Sequence, residues 1–146
     1  FANFNNLYCL SKRLQGVTIR TCHILKSIPK YSKPDTVIIC DPPYIATNSY
    51  GKSNTLTNQE HHQIARMLIK SKCDFVYHCR TTAKGKNKEA DKNFINASLD
   101  DFFCDQGLFF TDIEIKGKEC VTIERIITNF EFDGCTSYTR EVAYHE

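Results

Sequence analysis

Asp41-Pro42-Pro43-Tyr44 is the segment of this 146-residue chain whose residue types, in this order, suit a specific chemistry. The exocyclic amine of adenine is a weak nucleophile, because its lone pair is delocalised into the ring. The Asp41 carboxylate and the Pro42 backbone carbonyl can each accept one of the two N–H groups. That draws the nitrogen toward a tetrahedral geometry and frees the lone pair for in-line attack on a methyl group. Two prolines stiffen the turn, so the acceptors are in place before reaction. Tyr44 offers a flat face on which an extruded base can stack. The competing reading of any such tetrapeptide is a rigid turn with a solvent-facing Asp and a packed Tyr. Context favours the chemical one: the tetrapeptide follows the apolar run Thr36-Val37-Ile38-Ile39-Cys40 and precedes the polar stretch 45–56, a loop of a length that is commonly functional.

The elements that would position this turn follow from hydrophobic spacing. Phe4, Leu7, Tyr8 and Leu14 recur at helical intervals, predicting a helix over about 3–15 that Gly16 ends. Val17 to Cys22 reads as a strand, and Ser27 to Pro34 as a Lys/Ser/Pro connector. The run 36–40 predicts a central parallel strand covered on both faces. Thr57 and Glu60 have capping-box spacing, opening a helix to about Ser71 with His61, Ile64, Ala65 and Leu68 on one face. His61 there reads as a structural histidine. Asp74 to Cys79 is a further strand, and a short helix is expected near 98–105. Phe109 to Ile115, a turn at Lys116-Gly117-Lys118 and Val121 to Thr128 make a hairpin. The fold class is α/β, mostly parallel with a C-terminal antiparallel hairpin. Ligands in such sheets bind beyond the carboxyl ends of the strands, which places the site after Cys40 or Cys79. His78, near the end of its strand, is a weak candidate for the pocket wall.

Composition sets the bounds. Hydrophobic residues are 41% and charged residues 25%, enough for one ordinary core and inconsistent with a disordered chain. No apolar run approaches the ~20 residues that span a bilayer. Phe1-Ala2-Asn3-Phe4-Asn5-Asn6 lacks the basic and apolar regions of a signal peptide, and the missing initiator Met hints at a partial chain. The eight cysteines contain no Cys-x-x-Cys pair, so no zinc site is expected, and reduced, buried thiols in the cytoplasm are. Residues 1–35 hold six basic side chains against Asp35 alone, an asymmetry that fits one face meeting nucleic acid. Lys84, Lys86, Lys88 and Lys92 are weak candidates for phosphate contacts, with a solvated loop as the alternative.

From about residue 11 to 130 the chain resembles the later part of a Dam-like (D12 class) DNA adenine-N6 methyltransferase. The landmarks are Leu10-Ser11-Lys12-Arg13-Leu14, Val17-Thr18-Ile19, Asp41-Pro42-Pro43-Tyr44, Tyr50 in the loop, Glu60-His61, and Glu124-Arg125-Ile126-Ile127-Thr128-Asn129. The resemblance implies a Rossmann-like sheet, S-adenosylmethionine as methyl donor, double-stranded DNA as partner, and a cytoplasmic protein of bacterial, archaeal or phage type. It implies Asp41, Pro42 and Tyr44 as catalytic residues and Pro43, Tyr44, Tyr50 and His78 around the base. Asp41 would border the cofactor, with His23 standing near the family's usual acidic position after the strand at 17–22. No metal is implied.

The family's Phe-x-Gly-x-Gly cofactor loop is absent: the glycines are 16, 51, 85, 107, 117 and 134, none within three residues of another. Its second strand and target-recognition domain are absent as well. The chain therefore reads as a single partial methyltransferase domain over 1–146, inactive alone. The alternatives are a non-catalytic remnant or interaction module, and an amino-methyltransferase acting on RNA or another substrate. With the first strands missing, the edge beside 36–40 is expected to pair: with a missing N-terminal half, with a second copy, or with the strand at 17–22.

Overall fold

The computed structural model describes residues 4–43, 56–85, 92–93, 99, 102–116 and 120–139. Helix α1 spans Phe4–Arg13, α2 Ile24–Tyr31 and α3 Asn58–Ile69. The strands are β1 Val37–Cys40, β2 Asp74–Gly85, β3 Lys92–Asn93, β4 Phe109–Lys116, β5 Cys120–Thr128 and β6 Thr136–Ser137. They form one sheet in the order β1-β2-β5-β4-β6, with β3 pairing β2 off that path. The expected α/β class is what forms, and no described helix is long and apolar enough to cross a membrane.

The sheet is mixed rather than mostly parallel. Only β1 and β2 run parallel, and every other pair is antiparallel. The reason is connectivity: a parallel neighbour needs a crossover, and α3 supplies the one between β1 and β2. The hairpin arrives as expected, with Phe109 opposite Thr128 and Lys116 opposite Val121, its turn at 117–119 lying outside the described residues. β2 runs six residues beyond the expected Cys79, because β5 continues to pair with it past a register shift between Arg80 and Thr82.

Three expectations on the N-terminal side are corrected. Val17 to Cys22 forms no strand: Val17 and Ile19 are exposed and no described strand pairs with them. Alternation proposes a strand, but a ladder needs a partner, and β1 does not meet this segment. The connector from Ser27 is instead the body of α2, capped by His23. Pro29 inside that helix costs about 3 kcal/mol in an ordinary helix interior and masks the signal in the sequence. The helix forms because Ile24, Leu25 and Ile28 pack against the core, Ile28 being fully buried. Lastly, β1 is an edge strand covered on one face. Cys40 is buried and Ile38 partly so, while Val37 and Ile39 are 57% and 77% exposed.

The core lies on one side of the sheet, where Phe75, Tyr77 and Ile127 meet Ile64, Ala65 and Leu68 of α3, together with Leu99, Phe103 and Tyr138. Of the short helix expected near 98–105, Leu99, Phe102 and Phe103 are described and helical. Two polar devices lock the strands. Asn129 accepts from the Phe75 N–H at 2.8 Å and donates to the Cys73 carbonyl at 3.1 Å, clamping the start of β2. Arg125 is buried; its Nε and Nη2 reach the Asp112 carboxylate at 2.8 and 2.7 Å, its Nη1 reaches the Tyr138 hydroxyl at 3.1 Å, and it lies over the Phe110 ring. Burial alone would lower the guanidinium's pKa, but the Asp112 and Tyr138 contacts together raise it.

Asp112→Asn leaves that buried charge without its anion and is expected to cost about 2–3 kcal/mol by urea unfolding, below the full buried-pair penalty because Asp112 is partly exposed. Glu114→Gln, which removes the exposed partner of Lys116, should stay within about 0.5 kcal/mol of wild type. Ile39→Lys should likewise leave stability nearly unchanged and reduce self-association in sedimentation velocity, since it charges an open apolar edge.

Candidate active site

β1 ends at Cys40, whose partner in the parallel ladder is Tyr77, so the chain leaves the sheet at Asp41 beside His78. Asp41 Oδ1 lies 3.3 Å from His78 Nδ1, and the Asp41 side chain is 64% exposed. The other ring nitrogen, His78 Nε2, lies 3.0 Å from Glu124 Oε2 of β5. Glu124 Oε1 in turn accepts from Arg80 Nη2 at 3.3 Å. His78 and Arg80 are two apart on β2 and share its less covered face, and Glu124 sits opposite Arg80 in the β2–β5 ladder. The carboxylate, imidazole, carboxylate and guanidinium thus form a row at the carboxyl end of β1.

The opposite face supports the turn. His61, buried on α3, shares a hydrogen bond with the Tyr77 hydroxyl through Nδ1 at 3.0 Å. Its Nε2 is buried without a partner in hydrogen-bond geometry, yet the Pro43 carbonyl is near enough to favour the protonated ring. Burial outweighs that pull and holds the His61 pKa below its ordinary 6.5, so the neutral ring sits between Tyr77 and the tetrapeptide. Burial, then the neighbouring Cys79 and Cys40 thiols, push the Tyr77 hydroxyl far up, leaving it protonated and able to donate. Pro42 is itself buried. Burial first and Asp41 second push the Cys40 thiol up to about 12, which makes it an inert core side chain rather than a nucleophile.

The other candidates are placed as follows. His23 caps α2, its Nδ1 accepting from the Leu25 N–H at 3.4 Å, and its Nε2 is 3.6 Å from Glu60 Oε1. That is a helix-capping role, and neither contact involves Asp41. Tyr44, Tyr50, Lys86 and Lys88 lie outside the described residues, and Lys84 is described only as backbone within β2. Four of the expected buried thiols are buried, Cys40, Cys73, Cys79 and Cys104, while Cys9 and Cys22 are exposed and Cys135 is intermediate; none of these seven is in a disulfide. No cluster among the described residues could hold a metal ion. A groove of about 510 Å³ lies between α2 and α3, lined by Ile28, Met67, Arg66 and Lys70 among others, away from the tetrapeptide.

Sequence reasoning missed Glu124 as a member of the site. It was visible only as part of a strand motif, and nothing local signals that a residue 46 positions from His78 faces the same ring.

Among the described residues Gly16, Gly107 and Gly134 are single glycines at positive φ, none of them part of a Phe-x-Gly-x-Gly turn. Comparison with protein-family models, with curated proteins and with solved structures finds no match.

The geometry gives the site an acid-sensitive support. Thr57 donates its backbone N–H and its hydroxyl to Glu60 Oε2, both at 2.8 Å, and these bonds hold the Glu60 carboxyl below its ordinary 4.5. For both His61 and Glu60 the unfolded chain binds the proton more readily. Their contributions are therefore whole above 6.5 and 4.5, and are lost as the pH falls through the lowered native values. Denaturant unfolding should show stability declining below pH 6.5. His61→Phe should remove the upper part of that decline and cost about 1–3 kcal/mol at neutral pH, by stranding the Tyr77 hydroxyl.

Proposed function

We propose that this chain is the amine-holding part of a DNA adenine-N6 methyltransferase. One observation carries the reading: Asp41 stands at the carboxyl end of β1 with Oδ1 engaged by His78 and its side chain otherwise exposed, which leaves Oδ2 as an acceptor for an incoming amine. Asp41 takes one N–H of the adenine amine and the Pro42 carbonyl takes the other. Holding both protons turns the nitrogen lone pair out of the ring plane and toward the methyl group. The proton released once the nitrogen is alkylated passes to the Asp41 carboxylate and from there to water. Pro42 and Pro43 keep the two acceptors fixed, with His61 and Tyr77 behind them. Tyr44 and Tyr50 would stack against the extruded base.

The methyl donor of this reading is S-adenosylmethionine, a sulfonium whose methyl group is electrophilic. The roles assigned to this chain concern the amine alone. Duplex DNA as substrate is supported by the excess of basic residues over 1–35, among which Lys12, Arg13, Arg20, Lys26, Lys30 and Lys33 are exposed. The free thiols agree with a reducing, cytoplasmic setting. The open edge of β1 is the place for a further strand, from an N-terminal half or from a second copy.

The test compares two ligands that differ only in donors. Adenosine has both amine N–H groups, and N6,N6-dimethyladenosine has neither. In heteronuclear NMR titrations, adenosine is expected to shift the Asp41, His78 and Cys40 signals, and the dimethyl analogue at least about tenfold less at equal concentration, as loss of two donors predicts. Asp41→Ala should abolish the difference. Equal shifts by both ligands, or none by either, would overturn the amine-holding role. In a parallel assay with methyl-labelled donor and duplex DNA, any label should appear as N6-methyladenine and vanish with Asp41→Ala.

A further inference from the structure

We propose that His78 is a positioning residue that aims the Asp41 carboxylate at the target amine, with Glu124 holding the ring from its other side. The inference rests on the amine-holding role of Asp41 and adds the device that orients it. Asp41 lies just beyond the end of β1, and a carboxylate on such a turn can rotate about both side-chain bonds. An acceptor contributes to catalysis only when it is held near its working orientation before the substrate arrives. His78 supplies that restraint. It projects from β2, the strand paired with β1, and its side chain is 26% exposed against 64% for Asp41.

The ring is fixed in turn. An ionised carboxylate only accepts hydrogen bonds, and each ring nitrogen of His78 faces one, Nδ1 at 3.3 Å and Nε2 at 3.0 Å. Each ring nitrogen lies within ion-pair distance of its own carboxylate, so turning the ring would break both contacts. These two contacts tie Asp41, His78 and Glu124 into one unit. Among the described residues the charged groups facing the ring include Asp41 just beyond β1 and Glu124 from β5, and Arg80 from β2 offsets the charge of Glu124. The carboxylates lie on opposite sides of the imidazole rather than converging on a common point. This is the arrangement of an orienting pair, not of a metal site.

The roles of the two nitrogens can be separated. An asparagine at 78 puts an amide N–H near the position of Nδ1, and a glutamine reaches the position of Nε2. Orientation of Asp41 therefore predicts that His78→Asn keeps the adenosine affinity within about threefold, while His78→Gln and His78→Ala weaken it roughly tenfold. A ring that merely ties β2 to β5 through Glu124 predicts the reverse order, and that result would overturn the proposal. So would equal affinities in all three variants.

A second readout needs no ligand. In long-range proton–nitrogen spectra of the whole chain, Asp41→Asn should shift the His78 Nδ1 signal and Glu124→Gln the Nε2 signal. An Nδ1 signal unmoved by Asp41→Asn would show that the contact is not made, and would overturn the proposal. Failure of the wild type to respond to adenosine would instead remove the amine-holding role itself. That outcome is distinct from a wild type that binds while its Asn and Gln variants behave alike.

Discussion

Cys40 and Tyr77 face each other across the parallel ladder of β1 and β2, and the rest of the site hangs on that register. A shift of one residue would turn every side chain of β1 to the opposite face. Cys40 would leave the core, and Asp41 would leave the sheet away from His78. The register holds because one face of each strand is strongly apolar. Ile38 and Cys40 on β1, and Phe75, Tyr77 and Cys79 on β2, pack beneath α3 with Ile64 and Leu68. The polar row on the other face is thus positioned by burial on the first.

The two faces divide the labour. On the buried side His61 spans from Tyr77 toward Pro43 and steadies the turn from behind. On the more open side His78 links Asp41 to Glu124. The strand motif from Glu124 to Asn129 contributes to both. Glu124 faces His78, Arg125 turns to the core and binds Asp112, and Asn129 clamps the first turn of backbone into β2. A run of residues that reads as one short signature does three separate jobs, because alternate residues of a strand face opposite ways.

The open edge of β1 is the feature least like a finished domain. Val37 and Ile39 point away from the core with no described element over them, and the alternating segment from Val17 stays unpaired. Exposed apolar strands of this kind are pairing surfaces. On one side of this edge Asp41 meets His78 of β2 and Pro43 lies near His61 of α3, and no described element reaches Asp41 across β1.

Much of the architecture is legible from local chemistry. The α1 helix, the capping box of Thr57 and Glu60, the β4–β5 hairpin and the strand ending in the tetrapeptide follow from spacing and turn residues, and the motif itself singles out Asp41 as a candidate. The sequence alone could not decide what depends on partners far along the chain. The strand at 17–22 fails for want of a neighbour, α2 forms despite Pro29 because the core accepts Ile28, and β1 lies at an edge because no described strand pairs beyond it. Glu124 joins His78 only through the β2–β5 ladder. Spacing along a chain proposes local conformation, and packing partners decide whether it forms. Which distant carboxylate meets which ring nitrogen is settled by strand pairing, and that is a property of the folded sheet.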